Sequence, residues 1–230
     1  MSATKQDSIV KELFDLKAHM GHRKNRTHPK AKKNVYQMIN GISVIDLTKT
    51  AQQLEDAKKY LQNAAKEGKT MLVVGTKRTA AAIVKEHATA HKLPFISNKW
   101  LPGLLTNFKT IMENVKKLSE IKKQEEEGAW NELPKHEQIE QKRIMSKLNR
   151  LYEGIEQLEK HPDILLVVDM KKEKNAVKEA QSFDIPIVAI ADTNANPERI
   201  QYPIVANDDS SEVVEYVVKE LLGAYAAGKK

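Results

Sequence analysis

The sequence has 230 residues, of which 40% are hydrophobic and 30% are charged, so the chain can bury a core of its own. It contains no cysteine, which excludes disulfides, thiolate metal sites and a cysteine nucleophile. Lys and Arg number 38 against 31 Asp and Glu, and this net charge of +7 favours an anionic partner. Aromatic content of only 5% argues against a single-strand binder built on stacking platforms. Because neither a long apolar run nor a signal-peptide pattern is present, we expect a soluble, cytoplasmic protein.

The N-terminal region combines a short amphipathic helix with a strongly basic segment. Apolar residues recur at helical spacing between residues 9 and 20, which predicts a helix with Asp7 as its cap. This helix leads into residues 17–33, which we call the basic arm.

The basic arm holds seven Lys and Arg, three His and no carboxylate. Subtracting these seven from 38 leaves 31 basic residues against 31 acidic ones, so all of the excess positive charge lies in the arm. Gly21 and Pro29 interrupt any helix, which predicts an irregular segment. Because its charge is uncompensated and its apolar content is low, we expect the arm not to be ordered before it meets its partner. Two interpretations remain open: contact with nucleic-acid phosphates, or a solvated tail.

A β-hairpin and a helix are predicted to follow the arm. Residues 35–39 and 42–46 are strand candidates, and Asn40-Gly41 between them is a strong hairpin signal. A helix rich in Ala, Leu and Lys is then expected over residues 48–66.

The clearest fold signal is a repeated pattern of apolar strand and helix. Residues 70–75, 163–169 and 185–192 are apolar without alternation, as in strands buried on both faces of a parallel sheet. Shorter strands are expected at 94–96 and 203–205. Helices are predicted at 79–91, 173–183 and 211–226. Strictly alternating elements of this kind predict an α/β fold with a doubly wound parallel sheet of about five strands.

The pattern changes between residues 104 and 158. Apolar residues there recur every three or four positions in two stretches separated by a predicted turn at 128–134. We expect an antiparallel helical hairpin inserted into the α/β domain, with arms of about 23 residues that reach about 35 Å. The predicted domains are therefore 1–103 with 159–230, and the inserted 104–158. The hairpin is either a docking arm or a packed helical subdomain.

Two segments could contact phosphates. Residues 75–79 lie where a buried strand becomes a helix, a position that can hold phosphate, although no nucleotide-binding fingerprint is present. Residues 98–108 form a loop in which Trp100 either anchors the loop or stacks on a base. The polar side chains of this loop either donate to RNA or satisfy the loop itself.

Acidic residues also gather at predicted strand ends. Asp169, Asp192 and Asp208 could hold a divalent ion or accept a phosphoryl group, or they could serve as local caps. Asp209 and Glu212 have the spacing of a capping box. His19, His22 and His28 lack a firm ligand pattern, so we interpret them as hydrogen-bond partners and predict neither a metal site nor catalytic residues.

Taken together, these motifs resemble the ribosomal protein S2 family of the bacterial small ribosomal subunit. The resemblance covers nearly the whole chain in the same order. It is carried by Gly21-His22 and by residues 45–50, 73–78, 100–107, 163–169, 185–194 and 207–209.

The resemblance implies a flavodoxin-like three-layer sandwich with an inserted coiled-coil hairpin, bound to small-subunit rRNA between head and body. It implies no catalysis and no cofactor, and it adds neighbouring ribosomal proteins, including the large OB-repeat protein, as partners. It implies that the arm, the strand-end turn and the loop carry the RNA contacts. These predicted RNA-binding residues are His22, Arg23, Lys24, Asn25, Arg26, His28, Lys30, Lys32, Lys33, Thr76, Lys77, Arg78, Asn98, Lys99, Trp100, Thr106, Asn107 and Lys109.

Two positions depart from the family pattern. Pro102-Gly103 stands where a Gly pair is usual, and Asn196 stands where an Asp is usual, which weakens a metal hypothesis at that corner. The alternatives are a flavodoxin-like phosphate- or metal-dependent enzyme or receiver domain, and an adaptor that works through the hairpin alone.

Overall fold

The computed structural model describes residues 3–229 and has an α/β architecture with two sheets. In chain order the elements are α1 (Ala3–Asp15), β1 (Met20–Arg23), β2 (Val35–Ile39), β3 (Ile42–Ile45), α2 (Leu47–Lys66), β4 (Met71–Val74), α3 (Ala81–Ala90), β5 (Phe95–Ile96), α4 (Phe108–Glu126), α5 (Lys135–Tyr152), β6 (Ile164–Val168), α6 (Lys174–Ser182), β7 (Ile187–Ala191), β8 (Tyr202–Val205) and α7 (Ser211–Gly228).

Five parallel strands form the main sheet in the order β5-β4-β6-β7-β8. Counted along the chain this order is 2-1-3-4-5, the flavodoxin-like arrangement, so the predicted parallel sheet and its size are confirmed. Every residue of β4, β6 and β7 is buried, which explains the apolar runs without alternation. Because the strands are parallel, their carboxyl ends and the loops that follow them share one edge, which we call the carboxyl edge.

Helices cover both faces of this sheet, as a three-layer sandwich requires. Met71 and Val73 face a core built with α1, α2, α3 and α7, whereas Leu72 and Val74 face a second core built with α4 and α6. Successive strand residues point to opposite faces, so one short strand contributes to both cores. Full burial of each such side chain contributes about 1.5 to 3 kcal/mol.

The predicted β-hairpin, formed by β2 and β3, is present and belongs to a second, antiparallel sheet of order β1-β3-β2. Asn40 and Gly41 have φ angles of 49° and 76°, as a two-residue type I′ turn requires at both positions. Strand β1 was not predicted, because its four residues lack an alternating apolar pattern.

Two predicted helix caps are wrong, although the predicted start of α7 at residue 211 is confirmed. Helix α1 begins at Ala3 and ends at Asp15, so Asp7 lies inside it and is not its cap. The helical residues before Asp7 are Ala-Thr-Lys-Gln, whose helix propensities allow the helix to start earlier than predicted. Helix α7 is capped by Ser210, whose hydroxyl accepts from the amide of Val213, and not by Asp209. The carboxylate of Asp209 pairs with Lys77 instead.

Helices α4 and α5 contact each other and are joined through Gly128, whose φ is 74°, and a short 3₁₀ turn. With 19 and 18 residues they span about 28 and 27 Å, less than the predicted 35 Å. Val115 and Leu118 of α4 lie in the same core as Leu72, as does Tyr152 at the end of α5. The coiled coil and the separate domain over 104–158 stay predictions.

No helix among the described residues combines the length and the apolar composition that crossing a bilayer demands.

Candidate nucleic-acid interface

The basic arm is ordered, so the prediction of an irregular, unstructured arm is wrong. Its chain forms strand β1 and two 3₁₀ turns, Lys24–Arg26 and Pro29–Asn34. The amide of His22 donates to Thr193 Oγ1 at 2.9 Å, and the amide of His28 donates to the carbonyl of Thr193 at 2.8 Å. These bonds tie the arm to the loop after β7, a contact that no local sequence pattern encodes.

Gly21 lets the arm come this close to the sheet. A Cβ atom at this position would lie 2.8 Å from Thr193 Cγ2 and 2.9 Å from the carbonyl oxygen of Ser43. The first contact is with a β-branched side chain and the second is with backbone, so neither yields easily. Gly21 is therefore a close-packing position.

Two lysines of the arm form ion pairs with a carboxylate that lies far from them in the sequence. Lys30 Nζ lies 3.1 Å from Glu198 Oε2, and Lys33 pairs with the other oxygen of the same carboxylate. Lys33 and Lys30 hold the pKa of Glu198 below its usual value. The charge count over residues 17–33 did not include this carboxylate, because Glu198 is far away along the chain.

The remaining cations of the arm face solvent. Lys17, Arg23, Lys24, Arg26 and Lys32 are exposed, and the ion pairs among the described side chains include none of them. Asn25 lies among them and is also exposed. This exposed, unpaired charge can bind a polyanion.

The side chain of His22 points inward and holds the arm against the loop after β7. Its Nδ1 lies 3.0 Å from Asp192 Oδ2, and its Nε2 lies 2.9 Å from Asn194 Nδ2. The hydrogen bond with Asp192 raises the pKa of His22, and this effect exceeds the opposing effect of burial. The side chain is only 17% exposed, so it positions the arm and offers little surface to RNA.

His22, Asp192 and Asp209 are a group of described side chains that could hold a metal ion. Their ligand atoms lie within 4.8 Å of one another. Each of these residues already has a protein partner, since Asp192 lies within hydrogen-bond distance of His22 and Asp209 lies 2.6 Å from Lys77 Nζ. Hydrogen bonding and ion pairing therefore account for the geometry without an ion.

Lys77 is enclosed by carboxylates at the carboxyl edge. Its Nζ lies 2.6 Å from Asp208 Oδ1, 2.6 Å from Asp209 Oδ1 and 3.3 Å from Asp169 Oδ2. Burial alone would lower the pKa of Lys77, but the hydrogen bonds to Asp208 and Asp209 outweigh it and raise the pKa. The predicted RNA contact at Lys77 thus has three protein partners, and Arg78 beside it is the exposed cation of this turn.

The carboxylate of Glu173 occupies the turn after β4. The amide and the hydroxyl of Thr76 both donate to Glu173 Oε1, the amide at 3.0 Å. Glu173 is only 3% exposed, and burial raises its pKa. In a flavodoxin-like sheet this crevice, between the ends of β4 and β6, is where a ligand phosphate would bind.

Glu179 of α6 organises the loop over residues 98–108. Its carboxylate accepts from the indole of Trp100 at 2.9 Å and from the amides of Gly103 and Leu105 at 2.9 and 3.0 Å. Trp100 is only 5% exposed, so it anchors the loop and its ring has little surface for stacking on a base.

The other predicted residues lie at the surface of the carboxyl edge or close to it. Asn98 is exposed, but its side-chain amide donates to the carbonyl of Arg150 at 2.7 Å, and His28 is half-buried. The exposed predicted residues outside the arm are Arg78, Asn98, Lys99, Thr106, Asn107 and Lys109.

Sequence reasoning missed the carboxylates that organise this edge. Glu173 lies three residues before Ala176, and Glu179 lies beside Ala180, on a helix whose apolar residues are buried. A carboxylate next to the apolar stripe of a predicted helix is the signal that could have identified Glu173.

Asp208 should make stability depend on pH. Burial, reinforced by Asp169, raises its pKa from 3.8 to about 7. Between these values the native state binds a proton that the unfolded state has released, so stability should fall as pH rises through this window. The raised pKa of His22 acts in the same direction, because its contribution is complete below 6.5 and is lost as pH rises through its folded pKa.

We expect Asp208→Asn to flatten this decline, by up to about 1.4 kcal/mol per pH unit, because the amide keeps an acceptor for Lys77 and cannot ionise. Urea unfolding of both proteins at about pH 5 and pH 7 measures the difference. Parallel pH profiles for the two proteins would contradict the assignment.

Comparison with known proteins agrees with this architecture. The model of the family Ribosomal protein S2 matches residues 13–228. The small ribosomal subunit protein uS2 of Coprothermobacter proteolyticus is 40% identical over 221 residues, covering 96% of this chain and 82% of that relative. The family match includes the arm, both sheets and residues 104–158. The chain therefore belongs to the ribosomal protein S2 family.

Proposed function

We propose that this chain is a structural component of the small ribosomal subunit and binds small-subunit rRNA through the carboxyl edge of its parallel sheet. As a member of a ribosomal protein family it is not an enzyme. Its place of action is then the cytoplasm, as part of the ribosome, where it supports translation. Its partners are rRNA and neighbouring ribosomal proteins.

The exposed cations of the basic arm are the observation that carries this proposal. Arg23, Lys24, Arg26 and Lys32 have no carboxylate partner among the described side chains, and hydrogen bonds to Thr193 fix their backbone. A fixed row of unpaired cations binds phosphates without first ordering the chain, and each neutralised phosphate releases counterions.

The neighbouring loops extend this surface. Lys99, Thr106 and Asn107 follow β5, and Arg78 follows β4, so these exposed side chains also lie at the carboxyl edge. Their amide, hydroxyl and cationic groups suit phosphates and riboses. With the Trp100 ring buried, backbone and shape contacts are favoured over stacking on bases.

The enzyme alternative is not favoured by the site. Glu173 fills the crevice where a flavodoxin-like enzyme would hold its ligand's phosphate, and a bound phosphate would have to displace a buried carboxylate. The cation at that turn, Lys77, is held by Asp208 and Asp209.

We also propose that the large OB-repeat protein of the small subunit docks in an apolar groove between α1 and the antiparallel sheet. The groove has a volume of about 770 Å³, and its described lining includes Phe14, Met20, Tyr36 and Ile39 but neither Lys nor Arg. Phe14 and Tyr36 are 58% and 71% exposed. A surface of this kind suits an apolar protein segment and not the phosphates of RNA.

The double change Phe14→Ser and Tyr36→Ser tests the groove. We expect it to lower the affinity for the OB-repeat protein at least tenfold in a pull-down titration, with rRNA affinity unchanged. Phe183→Ser is the control, since Phe183 is 44% exposed directly after α6, a helix that packs on the other face of the sheet from α1. Equal affinity of the double variant and the control would refute the docking proposal.

Sedimentation tests the main proposal. Tagged protein from a cell lysate should co-migrate with small subunits in a sucrose gradient and should remain with them after washing at moderate salt. Migration only as free protein would overturn the proposal.

A further inference from the structure

We infer that a second RNA-binding site, separate from the exposed cations of the arm, lies in the cleft between α6 and the 3₁₀ turn Pro197–Arg199 and takes the sugar-phosphate backbone. This inference rests on the proposed rRNA binding and adds four cations that are not among the RNA contacts implied by the family resemblance. The cleft has a volume of about 220 Å³. Four exposed cations and a half-buried histidine line it: Lys171, Lys174, Lys178, Arg199 and His28.

Among the described side chains these four cations have no anionic partner, and the nearby carboxylates named next are engaged elsewhere. Asp169 contacts Lys77, and Glu198 pairs with Lys30 and Lys33. Glu173 accepts from Thr76, and Glu179 accepts from Trp100 and the loop after it. The ion pairs within the described part of the chain include none of the four cations, so the cleft carries a net positive charge.

The shape of the charged surface suits a strand of RNA. Lys174 and Lys178 are one helical turn apart, about 6 Å along the axis. Lys171, which precedes α6, and Arg199 of the 3₁₀ turn line the same cleft. The charge is therefore spread over a length that suits successive phosphates and exceeds what one inorganic ion can neutralise.

His28 adds a directed donor. Its Nδ1 accepts from the amide of Lys30 at 3.1 Å, so a neutral ring carries its proton on Nε2. Because Nδ1 is occupied, Nε2–H is the group left for a ligand. His28 thereby links the arm to the cleft, and RNA that follows the arm can continue onto α6.

Site-directed cleavage tests where the RNA lies. Since the chain contains no cysteine, Asn175→Cys on α6 places a single iron chelate beside the cleft, and Gln52→Cys on α2 places one on the opposite face. In reconstituted small subunits we expect hydroxyl radicals from position 175, but not from position 52, to cut rRNA. Absence of rRNA cleavage from position 175 would overturn the inference, as would cleavage of an acidic neighbouring protein in its place.

Charge removal tests whether the cleft contributes affinity. We expect the set K171Q, K174Q, K178Q and R199Q to reduce the slope of log affinity for rRNA against log salt by about 0.7 to 0.9 for each lost contact. The matched control changes four exposed lysines of α1, α2 and α7, namely K11Q, K59Q, K66Q and K219Q.

The outcomes separate this inference from the proposed function. If the wild-type protein does not bind rRNA, the proposed function fails. If the wild-type protein binds and the cleft set behaves like the control set, only the second site fails. Inorganic phosphate at matched ionic strength should not compete with rRNA at the cleft; competition would indicate a single-ion site and would also overturn the inference.

Discussion

Replacing Arg23, Lys24, Arg26 and Lys32 with Gln should greatly reduce the affinity for small-subunit rRNA. These four side chains are exposed and unpaired in the described structure. Losing four phosphate contacts should lower the salt slope by about 2.8 to 3.6. Between about 50 and 200 mM salt, the wild type should therefore lose roughly a hundredfold more affinity than the variant. A titration of labelled rRNA at several salt concentrations measures this difference.

The control for this experiment carries the same change in net charge on α1, α2 and α7, at Lys11, Lys59, Lys66 and Lys219. The arm variant should remain folded, because the bonds to Thr193 involve the backbone of His22 and His28. Equal slopes for the arm variant, the control and the wild type would mean that the arm does not bind RNA.

Glu179→Ala should cause the largest loss of stability that we expect from one substitution in the site. The change removes the acceptor for Trp100, Gly103 and Leu105, and hydrogen bonds to a charged group contribute about 1.5 to 3 kcal/mol each. Because water can reach part of the loop, we expect a loss of about 2 to 4 kcal/mol in the free energy of unfolding.

Urea unfolding measures this loss, and a red shift of tryptophan emission should accompany it as Trp100 becomes hydrated. Asn175→Ala on the same helix is exposed and should change stability by less than about 0.5 kcal/mol. If Glu179→Ala is as stable as this control, the carboxylate does not organise the loop.

The main sheet could be predicted because its information is local. Each apolar run without alternation became a buried strand, and the positive φ angles of Asn40 and Gly41 produced the predicted turn. The capping residues at the ends of helices were harder to predict. Ser210 and Asp209 are adjacent and both can cap a helix, and the pairing of Asp209 with Lys77 left the cap to Ser210.

The site was predicted less well because its organisation depends on contacts between distant parts of the chain. The arm lacks carboxylates of its own, and the sequence does not show that Asp192, Thr193 and Glu198 would hold it. Lys77 lies in a basic motif, yet it pairs with acids that follow two other strands. A net-charge count identifies the segment that carries the charge, but it cannot identify which cations remain unpaired.

Lysine labelling with and without small-subunit rRNA, read by mass spectrometry, tests the central claim most directly. We predict that rRNA protects Lys24, Lys32 and Lys99 at the carboxyl edge from labelling. Lys59 on α2 and Lys219 on α7 should stay reactive. Protection of Lys59 and Lys219 with unchanged reactivity of Lys24 and Lys32 would contradict the assignment of the carboxyl edge as the RNA-binding surface.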